Sequence, residues 1–171
     1  MARGSGATRI HDVPGPSTGV PPGVRRPWCD PRMVVKVVVG ALVRADRVLL
    51  AHRSASRRAF PGVWDLPGGV VEAGESALGA LARELREELG VAIAAGSTSH
   101  LCRVIARPAD GPVELDAWLV TRWSGTPANR APDEHDAIGW FELAELPPLA
   151  HGLVRESLLR ALRSDVPAEH D

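Results

Sequence analysis

Tyrosine is absent, lysine occurs once, at Lys36, and cysteine occurs twice, at Cys29 and Cys102, in a chain of 171 residues. Two cysteines are too few for a disulfide framework and lack the paired spacing of a zinc site, so a reducing cytoplasm is the expected compartment. No apolar run reaches the ~20 residues that a membrane helix requires, and Met1 to Val20 lacks the continuous apolar core of a signal peptide. Neither a membrane span nor export is expected. An excess of positive charge is missing as well: the formal net charge is −1. Binding to a nucleic-acid polymer needs clustered cations that displace phosphate counterions, so a polymer partner is not implied. With a single lysine, the cationic charge is almost all arginine, a bias that suggests a GC-rich genome rather than a mechanism.

What is present fits one globular domain: 44% of residues are hydrophobic and 24% charged, enough for a full core in a chain too short for a second one. Residues 1–31 are rich in Gly, Pro and small polar residues, as in Pro14-Gly15-Pro16 and Pro21-Pro22-Gly23, and read as a tail with too little apolar surface to offset the entropy of ordering. The domain is expected over 32–165, followed by a short tail at 166–171. Its first strand is the β-branched run Val34 to Val39, and Arg47 to His52 is the hairpin partner across Arg44-Ala45-Asp46. A loop with Pro61 and Gly62 leads to Trp64-Asp65-Leu66, and Pro67-Gly68-Gly69 is expected to end any strand and open a loop. From Ser76 to Leu89 the residues Leu78, Leu81, Ala82, Leu85 and Leu89 recur at helical spacing, with Gly90 at the C-terminal cap. Strands are predicted at His100 to Ala106, Val113 to Trp123 and Ile138 to Leu143, and an amphipathic helix at His151 to Arg163. One helix between groups of strands and another at the end predict an α/β fold, a sandwich with helices covering a mixed β-sheet.

Glu84, Glu87 and Glu88 stand at i, i+3 and i+4 of the predicted helix and so share one face, beside a leucine stripe that can pack on the sheet. Like charges at this spacing weaken a helix by roughly 0.2–0.5 kcal/mol per pair, and anions near a C-terminus also oppose the helix dipole. Such a face is either solvated and paired with Arg83 and Arg86, or it holds a hard cation, for which Mg²⁺ is the natural candidate.

The longer pattern favours the second reading. From Gly69 to Val91 the chain runs Gly, five residues, Glu75, seven residues, then Arg83-Glu84-Leu85-Arg86-Glu87-Glu88-Leu89-Gly90-Val91. This resembles the Nudix box, Gly-x5-Glu-x7-Arg-Glu-U-x-Glu-Glu-x-Gly-U with U aliphatic, at every specified position. A wider similarity to the MutT-like branch extends from about Val34 through Trp64 to Gly69 and on to Trp140-Phe141. The resemblance implies a Nudix-type α/β/α sandwich and a Mg²⁺-dependent hydrolase, with Mn²⁺ as a substitute. It implies metal contacts from Gly68, Glu84, Glu87 and Glu88, and an additional one from Glu134, which stands six residues before Trp140. Glu75 and Arg83 match a pair that braces the loop against the helix. The general base is left open among Glu84, Glu87 and Glu134. Arg53 and Gly69 are candidates for substrate contact, and Trp64 for stacking on a base, against plain packing.

The resemblance also points to a small nucleotide substrate: a nucleoside triphosphate, oxidised purines included, cut to monophosphate and diphosphate. One departure weakens base discrimination: where a purine-selective relative has asparagine after a Pro-Pro pair, this chain has Pro147-Pro148-Leu149-Ala150-His151. ADP-ribose, or another nucleotide-sugar diphosphate, is the alternative, with Pro108 as its sequence cue. The lack of tyrosine counts against diadenosine polyphosphates. A nucleotide-sensing module without catalysis is a third reading, disfavoured by the intact box. Either a monomer or a homodimer is compatible with the sequence.

Overall fold

The computed structural model describes residues 34–107 and 111–163. The expected tails at 1–31 and 166–171, the domain limits at 32 and 165, and Pro108 fall outside the described residues.

The first strand, β1 (Val35–Arg44), and the second, β2 (Arg47–Arg53), form a hairpin across Ala45-Asp46, with Ala45 at φ 54°. β1 is longer than its valine run because Gly40 does not interrupt it. A Cβ at Gly40 would lie 2.9 Å from Leu81 Cδ1, so the bare glycine lets the helix carrying Leu81 approach the sheet closely. The chain continues through β3 (Trp64–Asp65) and β4 (Gly68–Val70) to helix α1 (Ala77–Leu89). Then follow β5 (Ala92–Ile93), β6 (Thr98–Ala106), β7 (Val113–Val120), β8 (Trp123–Ser124), β9 (His135–Glu142) and helix α2 (Gly152–Arg163).

β1 is the centre of the sheet. It pairs in parallel with β7 from Val35↔Val113 to Leu42↔Val120, and antiparallel with β2 and β4 on its other edge. β6 lies antiparallel outside β7, while β3 and β9 both pair with β2, so the sheet is mixed as expected. Alternation along β1 sorts the core into two layers. Val39, Ala41 and Val43 pack with Leu50, Leu115, Val154 and Leu158 under α2. Val38 and Leu42 pack with Leu49, Leu81, Leu85, Leu89 and Val120 under α1. The result is an α/β/α sandwich.

Four local expectations need correction. Gly68 to Val70 is a strand rather than a loop: Val38↔Gly69 and Val39↔Gly68 are ladder partners. Two glycines supply no side-chain signal for a strand, yet Gly68 sits at φ 144°, and a Cβ there would strike the Val38 carbonyl. Leu78 is 41% exposed and outside the leucine stripe, because the sheet covers only the face defined by Leu81, Leu85 and Leu89. The predicted strand from Val113 to Trp123 stops at Val120, and Trp123 turns away to pair with Ile93 in a separate two-stranded ribbon. The last strand starts three residues before Ile138, at His135, and Leu143 belongs to a short 3-10 turn.

Candidate active site

Helix α1 starts at Ser76, whose Oγ accepts from the Gly79 N–H at 3.0 Å, and ends at Gly90 in the left-handed conformation, whose N–H reaches the Arg86 carbonyl. Between these caps the three box acids meet different surroundings. Glu88 is 2% exposed; its Oε2 accepts from the Gly68 N–H at 2.9 Å, and its Oε1 lies 3.9 Å from His135 Nε2. The Glu84 side chain is 14% exposed and rests on Gly69, where no Cβ would fit. Glu87, with its side chain 61% exposed, points furthest into solvent.

Arg83 ties these groups to the glycine loop. Its Nε and Nη2 donate to the two oxygens of Glu75 at 3.1 and 3.0 Å, Nη2 also donates to the Val70 carbonyl at 2.9 Å, and Nη1 donates to Glu84 at 2.8 Å. Glu75 in turn accepts from the Glu72 N–H at 3.2 Å, which closes the loop on itself. The brace expected from Glu75 and Arg83 is therefore an observed contact. It suits arginine, whose planar fork addresses Glu75, Glu84, the Val70 carbonyl and, at 3.5 Å, Glu87 at once.

Burial and mutual repulsion set the protonation behaviour. Burial, with repulsion from Glu84 and Glu134, pushes the Glu88 carboxyl up to about 8, against the opposing pull of the Gly68 N–H and Arg53. Glu84 is also raised, chiefly by burial, although Arg83 holds it down. The Arg83 hydrogen bond keeps Glu75 below the ordinary carboxylate range. Donating hydrogen bonds to Glu75 and Glu84 makes the Arg83 guanidinium still harder to deprotonate.

Glu134 is brought within electrostatic range of Glu84 and Glu88, while its Oε2 lies 3.1 Å from Arg57 Nη1. Arg53 is half-buried, donates from Nε to the Ala59 carbonyl at 3.0 Å, and feels Asp65, Glu88 and Glu134. Trp64 is half-buried and packs edge-on against His52 and Phe141, with centroids 5.0 and 4.8 Å apart. Gly69 stands in the β4 ladder beside the acids. Three residues with no assigned role in the sequence also converge here. Asp65 is held above the usual carboxylate range by burial and feels Arg53 and His151. Phe60, exposed and at φ 49°, meets the His151 ring edge-on at 5.1 Å. His135 reaches the box acids. None of the three repeats at a helical or strand period with its partners, so only the fold reveals the convergence.

Among the described residues, no three His, Cys, Asp or Glu side chains are drawn together into a ready metal cage; Arg83 engages Glu84 and Glu87, and Arg57 engages Glu134. The donors are all hard oxygens, and a hard divalent cation would favour the ionised form of Glu88, which burial and its acidic neighbours otherwise disfavour. A groove of about 640 Å³ opens beside the brace, lined by residues that include Lys36, Val71, Glu75 and Glu84.

The sequence pattern described as the NUDIX domain matches residues 34–162. A Mycobacterium tuberculosis protein with the provisional name 8-oxo-dGTP diphosphatase 2 is 42% identical over 111 residues, covering 64% of this chain and 74% of that protein. The CTP pyrophosphohydrolase of Escherichia coli K12 is 34% identical over 141 residues, covering 80% of this chain and 98% of the relative. Among solved structures, a MutT NUDIX hydrolase from Burkholderia pseudomallei superposes with a TM-score of 0.66 at 35% identity, covering 74% of this chain and 97% of that one.

Proposed function

The chain belongs to the Nudix family, and from that membership we propose that it is a Mg²⁺-dependent pyrophosphohydrolase that cuts a nucleoside triphosphate to the monophosphate and diphosphate. Hydrolysis of a phosphoric anhydride bond in a nucleotide is common to the relatives' names. The observation that carries the proposal is the built state of the box: Arg83 locks Glu75, Glu84 and the Val70 carbonyl together, while Glu88 is buried and, among the described residues, has no lysine or arginine in salt-bridge contact. A solvated acidic face would need no such scaffold.

Glu84, Glu87 and Glu88, with the Gly68 carbonyl and Glu134, would hold the divalent cation, Mg²⁺ or in its place Mn²⁺. When bound, such a cation neutralises phosphate oxygens and lowers the pKa of a water. The chain's own residues then have separate tasks. Arg83 and Glu75 fix the loop and the Glu84 carboxylate. Glu84, Glu87 and Glu134 are the candidates to take a proton from the attacking water, and the exposure of Glu87, the greatest of the box acids, supports its candidacy. Arg53, within electrostatic range of Asp65 and Glu134, would meet an anionic substrate group, and Trp64 and Gly69 would contact the substrate beside it.

Two relatives named for a purine and a pyrimidine triphosphate support the triphosphate and leave the base undetermined. The segment in question agrees: Leu149, where a purine-selective relative has asparagine, is buried in the α2-side core. An apolar position discriminates bases weakly. The test is hydrolysis of a nucleotide panel with Mg²⁺, with the products separated by chromatography and orthophosphate read with and without added pyrophosphatase. Signal that depends on pyrophosphatase is expected for triphosphates; cleavage of ADP-ribose alone would transfer the assignment to nucleotide sugars.

A further inference from the structure

The segment between β8 and β9 does more than bring Glu134 to the acids. Ala128 N–H donates to the Leu89 carbonyl at 3.1 Å, and Arg130 N–H donates to the Glu88 carbonyl at 2.8 Å, so the segment occupies carbonyls that the end of α1 leaves open. It is closed by one side chain. Asn129 Oδ1 accepts from Ala131 N–H at 3.2 Å, and Asn129 Nδ2 donates to the His135 carbonyl at 2.7 Å, while His135 N–H donates to the Ala131 carbonyl at 2.9 Å. These bonds fix the backbone of His135 and aim its ring at the helix.

His135 is 4% exposed, and its Nδ1 is buried without a hydrogen-bond partner among the described residues. Its Nε2 lies 3.9 Å from Glu88 Oε1, the carboxylate oxygen that the Gly68 N–H does not engage. A leucine or phenylalanine would fill the same space without a bare nitrogen, so packing alone is a poor reason for histidine here. The two oxygens of Glu88 thus face separate strands, the Gly68 N–H of β4 on one side and the His135 ring at the start of β9, at 3.9 Å, on the other.

We infer that His135, fixed by Asn129, is a positioning residue that orients the Glu88 carboxylate for the divalent cation. The inference rests on the assignment of Glu88 to that cation. Groups that orient a metal-binding carboxylate typically change affinity by about 10–100-fold when lost, and the 3.9 Å spacing places the expected effect at the lower end.

The experiment titrates the full chain with Mn²⁺ and reads free Mn²⁺ by electron paramagnetic resonance, with circular dichroism and thermal unfolding on each variant. His135→Leu should weaken Mn²⁺ binding about tenfold, and His135→Gln, which restores an amide donor near the Nε2 position, should recover most of it. Asn129→Ala should fall between them, since the segment keeps its backbone bonds to Glu88 and Leu89. A folded His135→Leu with the parent's affinity overturns the inference, as does His135→Gln binding as weakly as the leucine variant. Should His135→Leu fail to fold, parental affinity in Asn129→Ala overturns it instead. A parent chain that binds no Mn²⁺ removes the function assignment and this inference with it, whereas a parent that binds and hydrolyses beside an unaffected His135→Leu removes this inference alone.

Discussion

Glu84, Glu87 and Glu88 are equivalent letters on one helix face, yet their carboxyls range from nearly buried to largely exposed. For Glu88 the consequence is a pH effect whose sign can be worked out. Its carboxyl is raised from 4.5 to about 8 in the folded chain, so the proton is held more tightly folded than unfolded. Stability is fullest below the unfolded value and falls as pH rises from about 4.5 to about 8, with an order of magnitude of a few kcal/mol for a buried group. His135 has the opposite sign: burial lowers its pKa, so it costs stability as pH falls below the ordinary histidine range. The difference between parent and Glu88→Gln therefore isolates the carboxyl. In protein stripped of divalent cations, urea unfolding of the parent should lose stability from pH 5 to pH 8 relative to Glu88→Gln. Parallel curves would show that Glu88 ionises normally. The same variant should lose roughly 10²–10⁴ in turnover with Mg²⁺ present, the range for removing a positioned charge. Arg83→Lys should also impair the enzyme, by about 10–100-fold, because an ammonium cannot reach Glu75, Glu84 and the Val70 carbonyl together. An unchanged steady-state rate would mean that the brace is dispensable.

At the scale of elements, α1 was the most legible part of the chain, because Leu81, Leu85 and Leu89 repeat at its period and Gly90 stops it. The shared face of the box acids was legible through their spacing, whereas the Arg83–Glu75 contact was expected only from the resemblance to the Nudix box. Other features were not. Strand β4 is two glycines and a valine, so its pairing with β1 comes from backbone hydrogen bonds and close approach rather than side-chain alternation. The part of His135 depends on a segment folding back onto the helix end, which no local periodicity encodes. That fold-back also bears on Gly90: at φ 73° a side chain is strained, and a Cβ there would collide with the Arg130 guanidinium. Gly90→Ala should destabilise the protein by about 1–3 kcal/mol in denaturant unfolding, through strain at a special backbone angle and displacement of that arginine. A shift below a few tenths of a kcal/mol would show that Arg130 moves aside freely and that the cap tolerates a side chain.

At the scale of the molecule, the sheet's central strand is the link between core and chemistry. The parallel pairing of β1 with β7 joins residues distant in sequence, and only the closed sheet, not the letters of either strand, fixes it. Through that strand the core is coupled to the acids by a short path. Gly40 N–H donates to the Pro67 carbonyl at 2.9 Å, the next residue, Gly68, donates to Glu88, and on the same face of β1 the missing side chain of Gly40 admits Leu81 and Leu85 of α1. Gly40→Val should therefore have two effects. Overpacking against Leu81 Cδ1 and Leu85 Cδ1, 2.9 and 3.3 Å from the new Cβ, should cost about 1–3 kcal/mol of stability. Displacement of α1 from the sheet should also shift Glu84 and Glu88 relative to Gly68 and Gly69, lowering turnover by about tenfold or more even where the variant is fully folded, since small misplacements of positioned groups are costly. Denaturant unfolding and steady-state kinetics on one preparation, well below its melting temperature, measure both effects. Stability lost with turnover intact would mean that the leucine side chains absorb the added volume and that α1 keeps its place, which would uncouple the core from the active site.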